Sequence, residues 1–302
     1  MNDISKRISK LKELFKNTDN ILIGAGAGLS TAAGIEYSGK RFEDNFKEFI
    51  DKYDFTDLYT SGFYPFKTEE ERWAYWSKHI DLNNTGMSST ELYDNLYDLI
   101  KDKNYFVITT NVDDQFYKAS FDSDRIFRTQ GSYRYMQCQK GCHDKIYDAT
   151  ELVVDMIANI DDDLKIPTDL VPHCPVCGGP MDPHLRKDDY FVEDEYWHHQ
   201  KQAYVDYISS VKDENTLLLE FGVGFNTPGI IRYPFEEMSF NNKNWHLARF
   251  NKDNLELMVK LKYNYKLLTV DQLRQMDLNH EFLDRYLPFD EPIESIICEL
   301  LK

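Results

Sequence analysis

Positive charge is scarce in this 302-residue chain: 35 Lys and Arg stand against 52 Asp and Glu, a formal net charge of −17. Binding a polyanion requires a basic face that displaces counterions, so the balance argues against nucleic acid as a partner. Long apolar runs are lacking as well. The first twenty residues carry an amphipathic pattern (Ile4, Ile8, Leu11, Leu14, Phe15) instead of a continuous apolar segment, which argues against a signal peptide or a membrane span and leads us to expect a cytoplasmic protein. In that setting the sequon Asn83-Asn84-Thr85 is idle. No repeat and no biased tract interrupts the chain. What is present is core material: 42% hydrophobic and 14% aromatic residues, enough for one large domain or two modest ones.

Cysteine is sparse, and its placement is therefore informative. Four of the five form two pairs, Cys138 with Cys142 and Cys174 with Cys177, and 31 residues lie between the pairs. Two tight turns, marked by Gly141, Pro175, Gly178 and Gly179, bring four thiolates together as a tetrahedral ion requires. Zinc is the better reading than disulfides in a cytosolic chain, and four thiolates close the ion to water, which makes its role structural. Competing readings are reduced core cysteines, a redox pair, or a site in which His143 or His173 replaces one thiolate. Cys298, alone in an apolar stretch, reads as a small core hydrophobe.

Residues 24–34 read Gly-Ala-Gly-Ala-Gly-Leu-Ser-Thr-Ala-Ala-Gly directly after Ile21-Leu22-Ile23. A short buried strand, a turn in which Gly24, Gly26 and Gly28 hold no ligand off, and a helix begun by Ser30 or Thr31 make a phosphate cradle. The bland alternative is a tight turn that binds nothing. Further apolar strands, Tyr105-Phe106-Val107-Ile108, Leu217-Leu218-Leu219-Glu220-Phe221 and Trp245–Phe250, each end in small or polar residues: Asn111 and Asp113, then Gly222, Gly224, Asn226 and Thr227, then Asn251. Polar residues at the carboxyl ends of parallel strands lie where such sheets bind ligands.

The expected architecture is α/β: a doubly wound parallel sheet forming a discontinuous Rossmann-like domain from residues 1–41, 101–131 and 201–302. A smaller lobe combines a helical insert, 42–100, rich in spaced aromatics such as Phe42, Phe46 and Phe49, with a zinc module, 132–200.

The motifs from Gly26 to Ile35, Thr110-Asn111-Val112-Asp113, Gln130-Gly131 and the two cysteine pairs resemble, in that order, the sirtuin family over nearly the whole chain. The resemblance implies that NAD is held by the glycine loop (Gly26, Ala27, Gly28, Thr31), by Asn111 and Asp113 in the nicotinamide pocket, and by Gly222, Gly224, Asn226 and Asn251, with zinc on the cysteines. The departures are informative. The family's Ile-Pro-Asp-Phe-Arg is here Ile35-Glu36-Tyr37-Ser38-Gly39, with Arg41 and Phe42 following, and the His-Gly that carries the deacylase base is Gln130-Gly131.

A sirtuin deacylase needs a base near neutral pH to activate a ribose hydroxyl, and a glutamine amide has no proton affinity there. Losing a general base costs roughly 10²–10⁴ in rate. Cleaving the nicotinamide bond requires no such base, so ADP-ribosyl transfer is the expected chemistry. These departures are similar to the macrodomain-linked microbial sirtuins of class M, which are protein ADP-ribosyltransferases. That resemblance implies a lipoyl-carrier protein of the glycine cleavage H type as acceptor and a macrodomain hydrolase as partner. Asn111 is assigned to orienting the nicotinamide ribose, Asp113 to the carboxamide, Gln130 to the ribose hydroxyls or the acceptor, Arg41 to phosphate or ribose, and Tyr37, as a cofactor contact, with Phe42 to covering the reactive face. Strand-end capping competes for Asn111 and Asp113, a surface loop role for Gln130, and packing for Tyr37 and Phe42. His198 and His199 read as exposed helix residues and His246 as a core histidine. An NAD hydrolase, a deacylase with an unrecognised base, and a module that senses NAD without turnover remain open alternatives.

Overall fold

The protein is described here by a computed structural model covering residues 4–260, 264–278 and 280–302. Its strands are β1 (Asn20–Ala25), β2 (Asn104–Thr109), β3 (Ile126–Arg128), β4 (Gly131–Cys138), β5 (Ile146–Asp148), β6 (Met181–Leu185), β7 (Thr216–Phe221), β8 (Trp245–Phe250), β9 (Leu257–Lys260), β10 (Tyr265–Leu268) and β11 (Tyr286–Phe289). The helices are α1 (Ile4–Asn17), α2 (Ala27–Ala32), α3 (Lys40–Asn45), α4 (Lys47–Tyr53), α5 (Leu58–Ser61), α6 (Glu69–Ile80), α7 (Glu91–Ile100), α8 (Gln115–Lys118), α9 (Thr150–Ala158), α10 (Glu195–Val211), α11 (Arg232–Asn241), α12 (Val270–Gln275), α13 (His280–Leu283) and α14 (Ile293–Leu300).

The inner strands read as continuous apolar runs because both faces of the sheet are covered. Ile21, Ile23, Val107, Leu217 and Leu219 pack on one side with residues of α1, α7 and α14. Leu22, Phe106, Ile108 and Leu218 pack on the other with residues of α10, α11 and α13. The six strands run in the order β3-β2-β1-β7-β8-β11, all parallel. That order reverses direction between β1 and β7, which makes their carboxyl ends the switch point where doubly wound sheets bind nucleotides. Helix starts follow local chemistry: Asp194 accepts from the Trp197 N–H at 2.8 Å to cap α10, and Thr68 caps α6 ahead of three glutamates.

A smaller lobe holds the antiparallel sheet β5-β4-β6 and one core shared by the helical insert and the cysteine region. Phe42, Phe46, Phe49, Trp73 and Tyr75 pack with Cys138, Val153, Met156, Cys174 and Met181. Helix α7, grouped by pattern with the 42–100 insert, instead buries Leu92, Tyr93, Leu96 and Ile100 under the large sheet. Its apolar stripe is wide enough to cover β1 and β2, so the packing changes lobe before residue 91. Likewise α10 reaches back to the other face of the sheet from residue 195, through Trp197, Tyr207 and Val211. In the large sheet two strands carry no sequence signal of their own, β3 because it is three residues long and β11 because Pro288 interrupts it; the short strands of the smaller sheets are unsignalled as well. Cys298 is exposed on α14, not a core residue. No helix among the described residues is long and apolar enough to cross a membrane.

Candidate active site

Helix α2 begins at Ala27 with Gly26 as its extended N-cap, earlier than the Ser30 or Thr31 start expected from capping preference. Ser30 has another use. Its hydroxyl donates to Asp113 Oδ2 at 2.5 Å and lies 3.1 Å from the Tyr93 hydroxyl. Asn111 spends both amide protons, one on the Gly26 carbonyl at 3.0 Å and one on Tyr93 at 3.2 Å. Its Oδ1 is therefore the group left to accept from a ligand. Asp113 also accepts the Gln115 N–H at 3.1 Å, and burial raises its carboxyl above the ordinary value, against the opposing hydrogen bonds from Ser30 and Gln115. Asn111 and Asp113 are 9% and 4% exposed, enough for the edge of the site but too little for free rotation.

The glycines serve loop packing more than ligand clearance. A Cβ on Gly24 would meet Ile231 at 2.4 Å, and one on Gly28 would meet the Gly222 Cα at 2.6 Å. Gly26 and Gly28 donate their N–H groups to the carbonyls of Phe221 and Gly222 at 2.9 and 3.0 Å. These contacts stitch the loop after β1 to the loop after β7 across the crevice, and Gly222 sits at φ +61°, where a side chain is strained. Gly224 and Asn226 are exposed beyond this seam, and Thr31 donates back to the Ala27 carbonyl at 3.1 Å. Asn251 donates to the Val223 carbonyl at 2.9 Å. The loop that follows it is held by buried charge: Arg249 forms a bidentate pair with Glu220 at 2.7 and 2.9 Å and donates to the Glu256 carbonyl, while Arg232 donates to the carbonyls of Asn254 and Glu256.

The Tyr37 hydroxyl is 2.8 Å from that of Tyr133, which is 2.9 Å from His79 Nε2. His79 is fully buried, and desolvation aided by Arg41 pushes it down to about 3, so it is neutral at physiological pH. Arg41 was expected to face phosphate or ribose; both its terminal nitrogens instead hold the turn after α6, on Asn83 Oδ1 at 2.8 Å and the Leu82 carbonyl at 2.7 Å. Phe42 lies in the small-lobe core at 1% exposure and covers no reactive face. Gln130 lines a cleft of about 740 Å³ between the lobes, together with Arg186, Lys187, Phe191, Glu193 and Thr227. Among the described residues no histidine lines it. Of the other histidines, His198 and His199 are exposed on α10, His246 is half-buried, and His184 is buried, bonded to the Val192 carbonyl and pushed down to about 4 by desolvation.

The four cysteine sulfurs lie within 4.8 Å of one another, with Cys138 to Cys177 at 3.7 Å and Cys142 to Cys174 at 3.6 Å. Thiolates around a tetrahedral zinc at 2.3 Å stand about 3.8 Å apart, so the donor set fits that ion. Burial opposes ionisation of Cys174, but backbone N–H groups of Cys177 and Val176 outweigh it and pull the thiol down to about 6, toward the ligand form. His143 approaches Cys142 with Nδ1 at 3.1 Å and Tyr147 with Nε2 at 2.8 Å, beside the cluster.

Solved structures with the same fold include a Sir2 protein bound to a propionylated peptide (TM-score 0.55, 13% identity, 97% of each chain covered) and a Sir2 homologue in complex with NAD (TM-score 0.55, 15% identity, 97% of this chain and 92% of that one). No protein-family profile matches. A Staphylococcus aureus protein named as a protein ADP-ribosyltransferase is 35% identical over 253 residues, covering 83% of this chain and 80% of the relative. The chain belongs to that protein ADP-ribosyltransferase family, on the sirtuin fold. A Fusarium oxysporum f. sp. cubense protein named as a probable bifunctional ADP-ribose hydrolase/ADP-ribosyltransferase is 32% identical over 240 residues, 76% of this chain and 40% of its own length. The chain thus spans less than half of that fungal ADP-ribosyltransferase.

Within this sirtuin-fold transferase, sequence reasoning missed the partners that orient the site. Ser30 could have been found, being a hydroxyl one turn into a glycine-led helix. Tyr93, His79, Tyr133 and the Glu220–Arg249 pair carry no local signal, because only the fold brings them to the crevice.

Proposed function

We propose that this chain cleaves NAD at the nicotinamide bond and transfers one ADP-ribose to a protein acceptor, a lipoylated carrier of the glycine cleavage H type, in the cytoplasm. A macrodomain hydrolase is the proposed partner that removes the modification. NAD supplies a C1′–nitrogen bond whose electron pair leaves with nicotinamide, and the acceptor nucleophile takes its place at C1′ and gives up a proton.

The chain's own residues fit that substrate in three places. Asn111 offers Oδ1 for a ribose hydroxyl, and Asp113, fixed by Ser30, offers its remaining lone pairs to a carboxamide N–H. Gly26, Ala27, Gly28, Thr31, Gly222, Gly224, Asn226 and Asn251 form the crevice rim for the pyrophosphate and adenosine side. Tyr37, its hydroxyl held by that of Tyr133, is the third contact. The reading rests most on Gln130: it lines the interlobe cleft where the family's deacylase carries a histidine, and no lining residue there is an imidazole. Orientation and electrostatics remain available without a neutral-pH base, which suits transfer and disfavours deacylation. The four cysteines would hold a zinc ion that fixes the small-lobe wall of that cleft.

Mass spectrometry after incubation with NAD, a lipoylated carrier protein and an acetylated peptide tests the proposal. One ADP-ribose added to the carrier supports it, whereas free ADP-ribose with unmodified carrier indicates hydrolysis. O-acetyl-ADP-ribose from the peptide would overturn the argument from Gln130. Asn111→Ala is expected to abolish transfer.

A further inference from the structure

The tripeptide Asn83-Asn84-Thr85, idle as a sequon, is buried at its first two residues, which are 0% and 4% exposed. They belong to a π-helical turn, Asp81–Thr85, continuing directly from α6. Such turns are rare and recur at functional sites. Here the extra width of the turn aims two neighbouring side chains at two different loops. Asn83 Oδ1 accepts from Arg41 at 2.8 Å, and its Nδ2 donates to the His79 carbonyl at 2.9 Å. Asn84 Nδ2 donates to Asp114 Oδ2 at 3.1 Å, and its carbonyl accepts from Lys118 Nζ at 2.5 Å.

The connections close a circuit. His79, whose carbonyl Asn83 holds, bonds through its ring to Tyr133. Tyr133 in turn bonds Tyr37 with its hydroxyl and the Val112 carbonyl with its N–H at 2.9 Å. Asp114 is fixed further by Ser132 at 2.5 Å and Arg128 at 3.3 Å, and it sits at φ +58°, a conformation that needs such ties to persist. The segment that carries Tyr37 and Arg41 and the loop that carries Asn111 and Asp113 are therefore both fastened to one turn of the small lobe.

We propose that this π turn is a positioning hub for the reaction site: Asn83 sets the Tyr37–Arg41 segment, and Asn84 sets the Asn111–Asp114 loop, against each other. Neither asparagine need touch substrate. The inference rests on the reading that these two loops hold NAD. Because the two asparagines serve different loops, their loss separates kinetically. Asn83→Ala raises KM for NAD with kcat nearly unchanged. Asn84→Ala, which loosens the loop proposed both to bind NAD and to orient the reacting ribose, lowers kcat as well as raising KM. Each effect is about tenfold to a hundredfold, the scale of a small misplacement of reacting groups.

Nicotinamide release by the full chain, measured against NAD concentration well below each variant's melting midpoint, tests this. Asn83→Asp keeps the acceptor for Arg41 but gives up the donor to the His79 carbonyl, and is expected to restore part of the KM, a rescue that a merely structural role would not give. Where an alanine variant does not fold, Asn83→Ser and Asn84→Ser replace it, since a serine hydroxyl reaches neither Arg41 nor Asp114, and the same split is expected. Parental kinetics in the Asn83 and Asn84 variants, with Asn111→Ala inactive, overturn the hub and leave the site reading intact. Full activity in Asn111→Ala overturns the site reading itself.

Discussion

Replacing Gly222 by alanine tests whether the crevice is a seam between two loops. The added Cβ would lie 2.4 Å from the Cα and carbonyl carbon of Gly28 and from the Leu29 nitrogen, all of them backbone atoms that cannot rotate away. Gly222 also sits at φ +61°, where a non-glycine residue costs about 1–2 kcal/mol, and forcing a methyl into packed backbone costs about 1–3 kcal/mol more. The variant is therefore expected to lose about 2–5 kcal/mol. With unfolding entropy near 2.1 cal/mol/K per residue, that lowers the melting midpoint of a chain this size by about 3–8 °C. The strain falls where β1 and β7 end, so KM for NAD rises as the two loops separate. Gly224→Ala is the internal control: no atom lies within 4 Å of the new Cβ, and the melting point is expected to stay within about 1 °C. Differential scanning calorimetry and a titration of NAD on both proteins decide the matter. A Gly222→Ala protein with parental stability and KM would refute the seam.

Asp113→Asn is expected to abolish activity while raising the melting point at pH 7. A carboxyl whose native pKa is raised stabilises the fold only while protonated, and that contribution is lost as pH rises through the native value; the gain over the parent should therefore shrink toward pH 4, in a melting series against pH. Cys174→Ser is expected to lose one bound zinc by metal analysis and to lower the melting point, because Cys174 and Cys138 belong to the core that contains Trp73 and Met181. Gln130→His restores the family's base and is expected to yield O-acetyl-ADP-ribose from an acetylated peptide; an unchanged product would mean that position 130 does not face the ribose.

The large sheet was legible because parallel strands buried on both faces leave unbroken apolar runs, and Tyr105-Phe106-Val107-Ile108 or Leu217-Leu218-Leu219 have few other readings. The four-cysteine cluster was legible because its ligands come in local pairs. Lobe membership was less so: α7 and the insert share the same helical periodicity, and only the partner of the apolar stripe tells them apart. Arg41 shows a second limit. Its charge and position suited a phosphate, but a guanidinium satisfies itself on any convergent acceptors, and Asn83 with the Leu82 carbonyl provided them. Cys298 fell in the apolar stretch Ile296-Ile297-Cys298-Glu299-Leu300, yet it takes the outward position of an amphipathic helix whose inward positions are Ile293, Ile296 and Ile297.

The division between what was read and what was missed follows the chemistry of the site. The groups proposed to meet NAD sit at strand ends, where sequence marks them with glycine, asparagine or aspartate. Groups that aim them lie elsewhere in the chain: Tyr93 is 18 residues from Asn111, and Ser30 is 83 from Asp113. Such partners are ordinary hydroxyls until the fold buries them beside a carboxylate. Burial then makes the difference, because a hydrogen bond to a charged group in a water-poor crevice is worth about 1.5–3 kcal/mol, enough to fix one rotamer over its alternatives. The same burial keeps His79 and His184 neutral and committed to Tyr133 and the Val192 carbonyl. Neither lines the cleft that Gln130 lines. On the proposed reading, transfer needs no neutral-pH base, only the orientation that Ser30, Tyr93 and the π turn give to Asn111 and Asp113.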